Sequence, residues 1–186
     1  QTPLVVVHSI STSADGAISV YSADVDGDGD MDVLSASGND DKIAWYENNG
    51  SHGFESPIFV DHSISTSADG AIHLYAADVD SDGDMDVLSA SWNDDKIAWY
   101  ENDGNQNFNE RLISTVADGA RSVFAADVDG DGDIDVLSAS NLDDKIAWYE
   151  NDGSQNFIER VVSSTADGAE SVFVADVDGD GDIDLL

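Results

Sequence analysis

Cysteine is absent from the 186 residues, which excludes disulfides and thiolate metal ligation as sources of stability. Basic side chains are nearly absent as well: 6 Lys plus Arg stand against 40 Asp plus Glu, a formal charge of -34. A surface this negative repels phosphate backbones and anionic lipid, so nucleic-acid binding is excluded and cations are the partners it invites. Long apolar runs are lacking too. The longest near the start, Leu4 to Val7, is far short of a membrane span, and no membrane insertion is expected. The chain does not open on a basic segment followed by a long apolar stretch, so any secretion signal is expected to have been removed already. Apolar residues nowhere recur with a 3.6-residue spacing over a helical length, which argues against helices. Core material, by contrast, is plentiful. Hydrophobic residues make up 41%, with aromatics spread evenly, too many for a disordered acidic tail.

The chain is a repeat array. DVDGDGDMDVL begins at Asp24, DVDSDGDMDVL at Asp78, DVDGDGDIDVL at Asp127 and DVDGDGDIDLL at Asp176, at offsets of 54, 49 and 49 residues. KIAWYEN recurs in step at Lys42, Lys96 and Lys145, and ADGA at Ala14, Ala68, Ala117 and Ala166. The five extra residues of the first interval fall in Ser51 to Ser65, as expected of a loop insertion. Within a unit the pattern is β throughout. Ser122 to Val128 alternates with period two, Asp135 to Ser140 reads as a second strand, Lys145 to Asn151 as a third and Phe157 to Ser163 as a fourth. Four short antiparallel strands in about 49 residues are what one propeller blade requires. The expected fold is an all-β, incomplete β-propeller of roughly 3.5–4 blades. Residues 1–13 read as the last strand of a preceding blade, on the likeness of Leu4–Ser11 to Phe59–Ser65. Residues 14–67, 68–116 and 117–165 read as three whole blades, and 166–186 as half of a fourth.

The aspartates carry the chemistry. Asp127, Asp129, Asp131 and Asp135 stand at positions 1, 3, 5 and 9 of a loop whose position 6 is Gly132. That is the ligand spacing of a hard divalent cation: three early carboxylates wrap the ion, glycine permits the sharp turn, and the ninth residue closes the shell. All-oxygen ligation suits calcium better than zinc or copper. The equivalent sets are Asp24, Asp26, Asp28 and Asp32; Asp78, Asp80, Asp82 and Asp86; and Asp176, Asp178, Asp180 and Asp184. Position 7 is also Asp (Asp30, Asp84, Asp133 and Asp182), and only its backbone oxygen is expected to bind. A helix–loop–helix calcium hand is excluded, because position 12 is Ser35, Ser89 or Ser138 rather than Glu and strands flank the loop. Carboxylates this crowded repel one another unless neutralised, so Ca2+ in about four sites is the reading.

The DxDGDGxxD loop between two strands, repeated about every 50 residues, resembles the FG-GAP/VCBS-type repeats of integrin α-subunit propellers. The resemblance implies that each loop joins the two innermost strands of a blade, that these Asp sets bind calcium, and that first strands such as Ser122–Asp127 line the axis. Clear FG and GAP tripeptides are lacking, with ADGA and SAS in the corresponding places.

Other residues are read against simpler roles. Trp45, Trp99 and Trp148 share strand faces with Ile43, Ile97 and Ile146 and are expected to pack between blades. Trp92, standing where the other units have Gly38 and Leu142, is expected to be exposed. Asp40-Asp41, Asp94-Asp95 and Asp143-Asp144 recur beside a lysine in every unit, whereas an active site is normally single. They read as hairpin turns with a surface ion pair, not as a glycosidase pair. His8 and His62 hold equivalent positions, and neither they nor His52 and His73 lie in a catalytic or metal spacing. Nothing argues for an enzyme. The expectation is an extracellular, calcium-stabilised propeller acting as a structural, adhesion or protein-binding module. The alternatives are a glycan-binding lectin, a non-catalytic propeller of a larger extracellular enzyme, and a subunit that self-associates through open blade edges.

Overall fold

The computed structural model describes residues 8–50 and 58–186. Strands β1 (Ala17–Ala23), β2 (Asp32–Ser37), β3 (Lys42–Asn48) and β4 (Phe59–Ser65) form one sheet. Strands β5 (Ala71–Ala77), β6 (Asp86–Ser91), β7 (Lys96–Asn102) and β8 (Phe108–Ser114) form a second. A third holds β9 (Ala120–Ala126), β10 (Asp135–Ser140), β11 (Lys145–Asn151) and β12 (Phe157–Ser163), and a short fourth pairs β13 (Val174–Ala175) with β14 (Asp184–Leu185). Every pair is antiparallel and follows chain order, and no helix occurs among the described residues. The fold is therefore all-β, an arc of propeller blades that does not close.

The second, third and fourth strands of the third unit fall where the periodicity places them. The first begins two residues earlier than expected and ends at Ala126, because the Val128 N–H turns away from the ladder to donate to the Asp135 carboxylate (3.0 Å). Of the expected strand Leu4–Ser11, residues 4–7 lie outside the described residues, and His8–Ser11 form no strand. Residues 51–57 of the insertion, with His52, also lie outside the described part.

Alternation gives each sheet two apolar faces, and each buries one against its neighbour. Leu34, Ala36, Ile43 and Trp45 of the first sheet pack on Leu74, Val87, Ala98 and Tyr100 of the second. Leu88, Ala90, Ile97 and Trp99 pack likewise on Val123, Val136, Ala147 and Tyr149 of the third. Register puts each tryptophan opposite a leucine, as in Leu34 with Trp45 and Leu88 with Trp99. The innermost strands β1, β5 and β9 lie side by side around the axis. There Tyr21, Tyr75, Phe124 and Phe173 form a ladder of rings with centroids 5.1, 4.5 and 5.0 Å apart. Edge-to-face and tilted geometry of this kind adds to the area burial of aromatics. An axial hollow of about 250 Å³ beside the ladder is lined by Ser19, His73, Ser122 and Ser171 among others.

The Asp-Asp turns do more than hold an ion pair. Asp94 and Asp143 do pair with Lys96 and Lys145, at 3.1 and 3.2 Å, whereas Lys42 pairs with Asp61 (3.5 Å). The second aspartate of each pair, Asp41, Asp95 or Asp144, has a left-handed backbone with φ of 55, 56 and 55°, a conformation that Asp adopts more readily than most residues. Its carboxylate accepts the N–H of Gly70, Gly119 or Gly168 in the next unit's ADGA turn, each at 2.9 Å. Its carbonyl accepts Ala68, Ala117 or Ala166. A two-point clasp thus joins successive blades. Glycine is required at the receiving position: at Gly70, φ is +66°, and a Cβ would meet the Asn93 side chain at 2.7 Å.

Candidate metal centres

Each Asp loop leaves an innermost strand, turns through residues of positive φ and returns on the second strand. In the first loop, Gly27 (φ 73°) and Gly29 (φ 93°) make the turn. Asp24 Oδ2 accepts the Gly29 N–H at 3.0 Å, and Asp26 Oδ1 accepts that of Asp28 at 3.2 Å. Asp32, fully buried, accepts Val25 N–H at 2.9 Å and Asn48 N–H at 2.7 Å. The same bonds recur at Asp86, from Val79 and Asn102 (3.0 and 2.8 Å), and at Asp135, from Val128 and Asn151 (3.0 and 2.8 Å).

These constraints gather the carboxylates of positions 1, 3 and 9. Asp24, Asp26 and Asp32 each offer an oxygen within 4.8 Å of the others, and so do Asp78, Asp80 and Asp86; Asp127, Asp129 and Asp135; and Asp176, Asp178 and Asp184. Position 5 is not brought into the cluster. Asp28, Asp82, Asp131 and Asp180 instead accept the N–H of position 7, at 2.8, 2.9, 2.9 and 2.9 Å. At position 7, the Asp84 and Asp133 carboxylates lie against Gly104 and Gly153 of the following turn, and position 7 is not among the clustered carboxylates.

Crowded acids without a counter-charge resist ionisation. Burial pushes the Asp86 carboxyl up to about 7, against the backbone N–H bonds that favour its anion. Burial also raises Asp135, Asp80, with the Asp82 charge adding to it, and Asp26. Asp24 Oδ1 and Asp80 Oδ1 are buried with no hydrogen-bond partner. Buried unpartnered oxygens on two of the clustered aspartates, in clusters whose only side-chain donors are carboxylates, fit a hard divalent cation.

The tryptophans divide only in part as expected. Trp45 and Trp99 are fully buried between sheets, and Trp148 is partly exposed. Trp92 is not an open surface aromatic: it is half-buried, and the Arg121 guanidinium lies 4.7 Å from its ring centroid. Its backbone N–H bonds Gly70 as those of Gly38 and Asn141 bond Gly16 and Gly119, so its counterpart in the third unit is Asn141, not Leu142. His62 stacks on Trp45 (4.4 Å) and bonds Glu47 (2.8 Å), where Arg111 covers Trp99 in the next blade. The clasp aspartates Asp41, Asp95 and Asp144 escaped sequence reasoning as seam residues. Their one signal was strict recurrence 24 to 29 residues before the next ADGA glycine.

Three overlapping stretches, 24–89, 78–138 and 127–186, match the FG-GAP-like repeat. They span most of the chain, which therefore belongs to the FG-GAP-like repeat family. Among curated proteins nothing matches. Among solved structures, an Agrocybe aegerita lectin, described for its specific recognition of non-reducing terminal N-acetylglucosamine, is similar at a TM-score of 0.61 and 22% identity, over 90% of this chain. The chain spans 46% of that lectin's length, and at this identity the likeness is one of fold.

Proposed function

We propose that this chain is a non-catalytic, calcium-binding propeller module that works outside the cell, where the ions stiffen each blade and the rigid arc presents a surface for protein binding or adhesion. The observation that carries the reading is the convergence, four times over, of the carboxylates at positions 1, 3 and 9, with buried oxygens left unpartnered at Asp24 and Asp80. Calcium would be held by Asp24, Asp26 and Asp32 and their equivalents, with position 7 supplying its carbonyl. When bound, the ion would supply the counter-charge that favours the anions of Asp26, Asp80, Asp86 and Asp135, whose carboxyls burial raises. Extracellular calcium modules bind with dissociation constants of about 0.1 to 1 mM, well above cytosolic calcium, hence the extracellular setting.

The test is thermal unfolding combined with sedimentation, in calcium and then in excess EDTA. At calcium tenfold above the dissociation constant, each filled site stabilises the fold by about 1.4 kcal/mol, and four sites approach the net stability of a whole domain. A large fall in melting temperature on chelation is the expected result. A melt that ignores EDTA overturns the reading.

A second reading, glycan binding, is favoured by the fold shared with a lectin described as recognising terminal N-acetylglucosamine. It predicts calcium-dependent retention on an N-acetylglucosamine matrix, weakened by Trp92→Ala. Free passage through the matrix in calcium would discard it.

A further inference from the structure

The second Asp loop differs from the other three. Its position 4 is Ser81, held at φ 60° where the others have Gly27, Gly130 and Gly179, so a side chain sits in a left-handed turn that glycine would occupy without strain. It is also a loop whose aspartate carboxylate accepts a side-chain hydrogen bond from the next blade. Gln155, in the turn between β11 and β12, donates from Nε2 to Asp80 Oδ2 across 75 residues of sequence, at 3.4 Å and partly buried. Asp80 Oδ1 is the buried oxygen without a partner.

The placement of Gln155 is built in. Its backbone has φ 62°, and its N–H is held by Asn151 Oδ1 (3.2 Å). Asn151 in turn gives its own N–H to Asp135 Oδ1 of the third loop (2.8 Å). A continuous hydrogen-bonded path therefore runs from Asp135 through Asn151 and Gln155 to Asp80, from one loop to its neighbour. The preceding seam has a parallel: Asn102 gives its N–H to Asp86 (2.8 Å), and its Nδ2 reaches Val25 O of the first loop (3.2 Å). In the first seam the end of strand β7 touches the preceding Asp loop, and in the second the turn after β11 does.

We propose that Gln155 is a positioning residue for the second metal loop, supplied by the third blade, which orients Asp80 toward a calcium ion and so ties occupancy of that loop to the seam between the two blades. The inference rests on the calcium reading above. Outer-shell groups that orient a ligating side chain typically change metal affinity by tenfold or more when removed.

The test compares the whole chain with Gln155→Gly and Gln155→Asn, both of which accept the left-handed backbone, while Asn is one methylene too short to reach Asp80. Calcium alone is titrated by calorimetry, and melting is followed in calcium and in EDTA. The expected result is about tenfold weaker binding at one of four sites, a smaller melting-temperature gain from calcium, and an EDTA melt close to that of the parent. In an Asp80→Asn background, Gln155→Gly is expected to add no further loss of affinity. Equal destabilisation with and without calcium would make Gln155 a turn residue only and overturn the proposal. So would an unchanged isotherm in a chain whose parent binds four ions. A parent that binds no calcium would instead sink the calcium reading itself, and this proposal with it.

Discussion

Strands β7 and β11 share one sequence, Lys-Ile-Ala-Trp-Tyr-Glu-Asn, and one pairing pattern. Yet Ile97 and Trp99 are fully buried, while Ile146 and Trp148 stay partly exposed. The difference lies in the neighbour. The face of β7 is covered by a four-stranded sheet that offers Val136, Ala147 and Tyr149. The face of β11 meets Val174 and Leu185 of the two-stranded one and Ala166, Ala169 and Val172 of the segment leading into it. The loops follow suit: Asp86 is fully buried with its carboxyl raised to about 7, whereas Asp184, at the same loop position, is partly exposed. Local sequence makes a blade, and the adjoining blade decides what each of its side chains is worth.

The tryptophans give the sharpest way to test that contrast. Trp99→Ala should cost about 3–5 kcal/mol, the range for a fully buried large aromatic, and Trp148→Ala distinctly less; urea unfolding of both variants in calcium measures the pair. Equal losses would mean that burial against the next blade is not what makes this position matter. The seam clasp comes next. Asp95→Gly keeps the left-handed turn but removes the acceptor of the Gly119 N–H, and should cost about 1–2 kcal/mol. Asp144→Gly, at the seam with the short sheet, should cost less, and a comparison of chemical-denaturation midpoints reads the order.

The smallest effect concerns a residue that sets the second blade apart. His73 occupies the position of Ser19, Ser122 and Ser171, and its Nδ1 accepts the Val123 N–H of the next blade at 3.3 Å. Burial holds its pKa below the usual histidine value of 6.5. The unfolded chain therefore takes up a proton that the folded one refuses, so this contribution to stability is intact above pH 6.5 and is lost as pH falls below it. The slope is at most about 1.4 kcal/mol per pH unit. Measured in EDTA, to keep carboxylate–metal equilibria out, His73→Ser should gain stability relative to the parent as pH falls from 6.5 to 5, since the raised Asp86 carboxyl acts in the opposite sense and equally in both chains. A difference between the two that does not change with pH would overturn this.

The blade itself was legible. Alternation in Asp135–Ser140 and Lys145–Asn151 required strands, and the 49-residue period required stacking of like units. The ligand spacing of the Asp loops was equally plain, because positions 1, 3 and 9 are fixed by a short turn whose glycines leave it few shapes. What escaped lies between units. Nothing local to Asp95 marks its carboxylate as a partner of Gly119, and Gln155 is 75 residues from the aspartate it touches. Position 5 shows what spacing leaves open within a loop: Asp28 has ligand spacing, and one of its oxygens accepts the Asp30 N–H.

Sequence by itself thus determined the strands, their order and the grouping of acids, since each depends on residues within one 49-residue period. Tertiary structure decided which tryptophan is buried, which carboxyl resists ionisation and which glutamine meets an Asp loop. Those properties depend on desolvation and contact by a second sheet, and identical segments acquire different values of both according to what is packed against them.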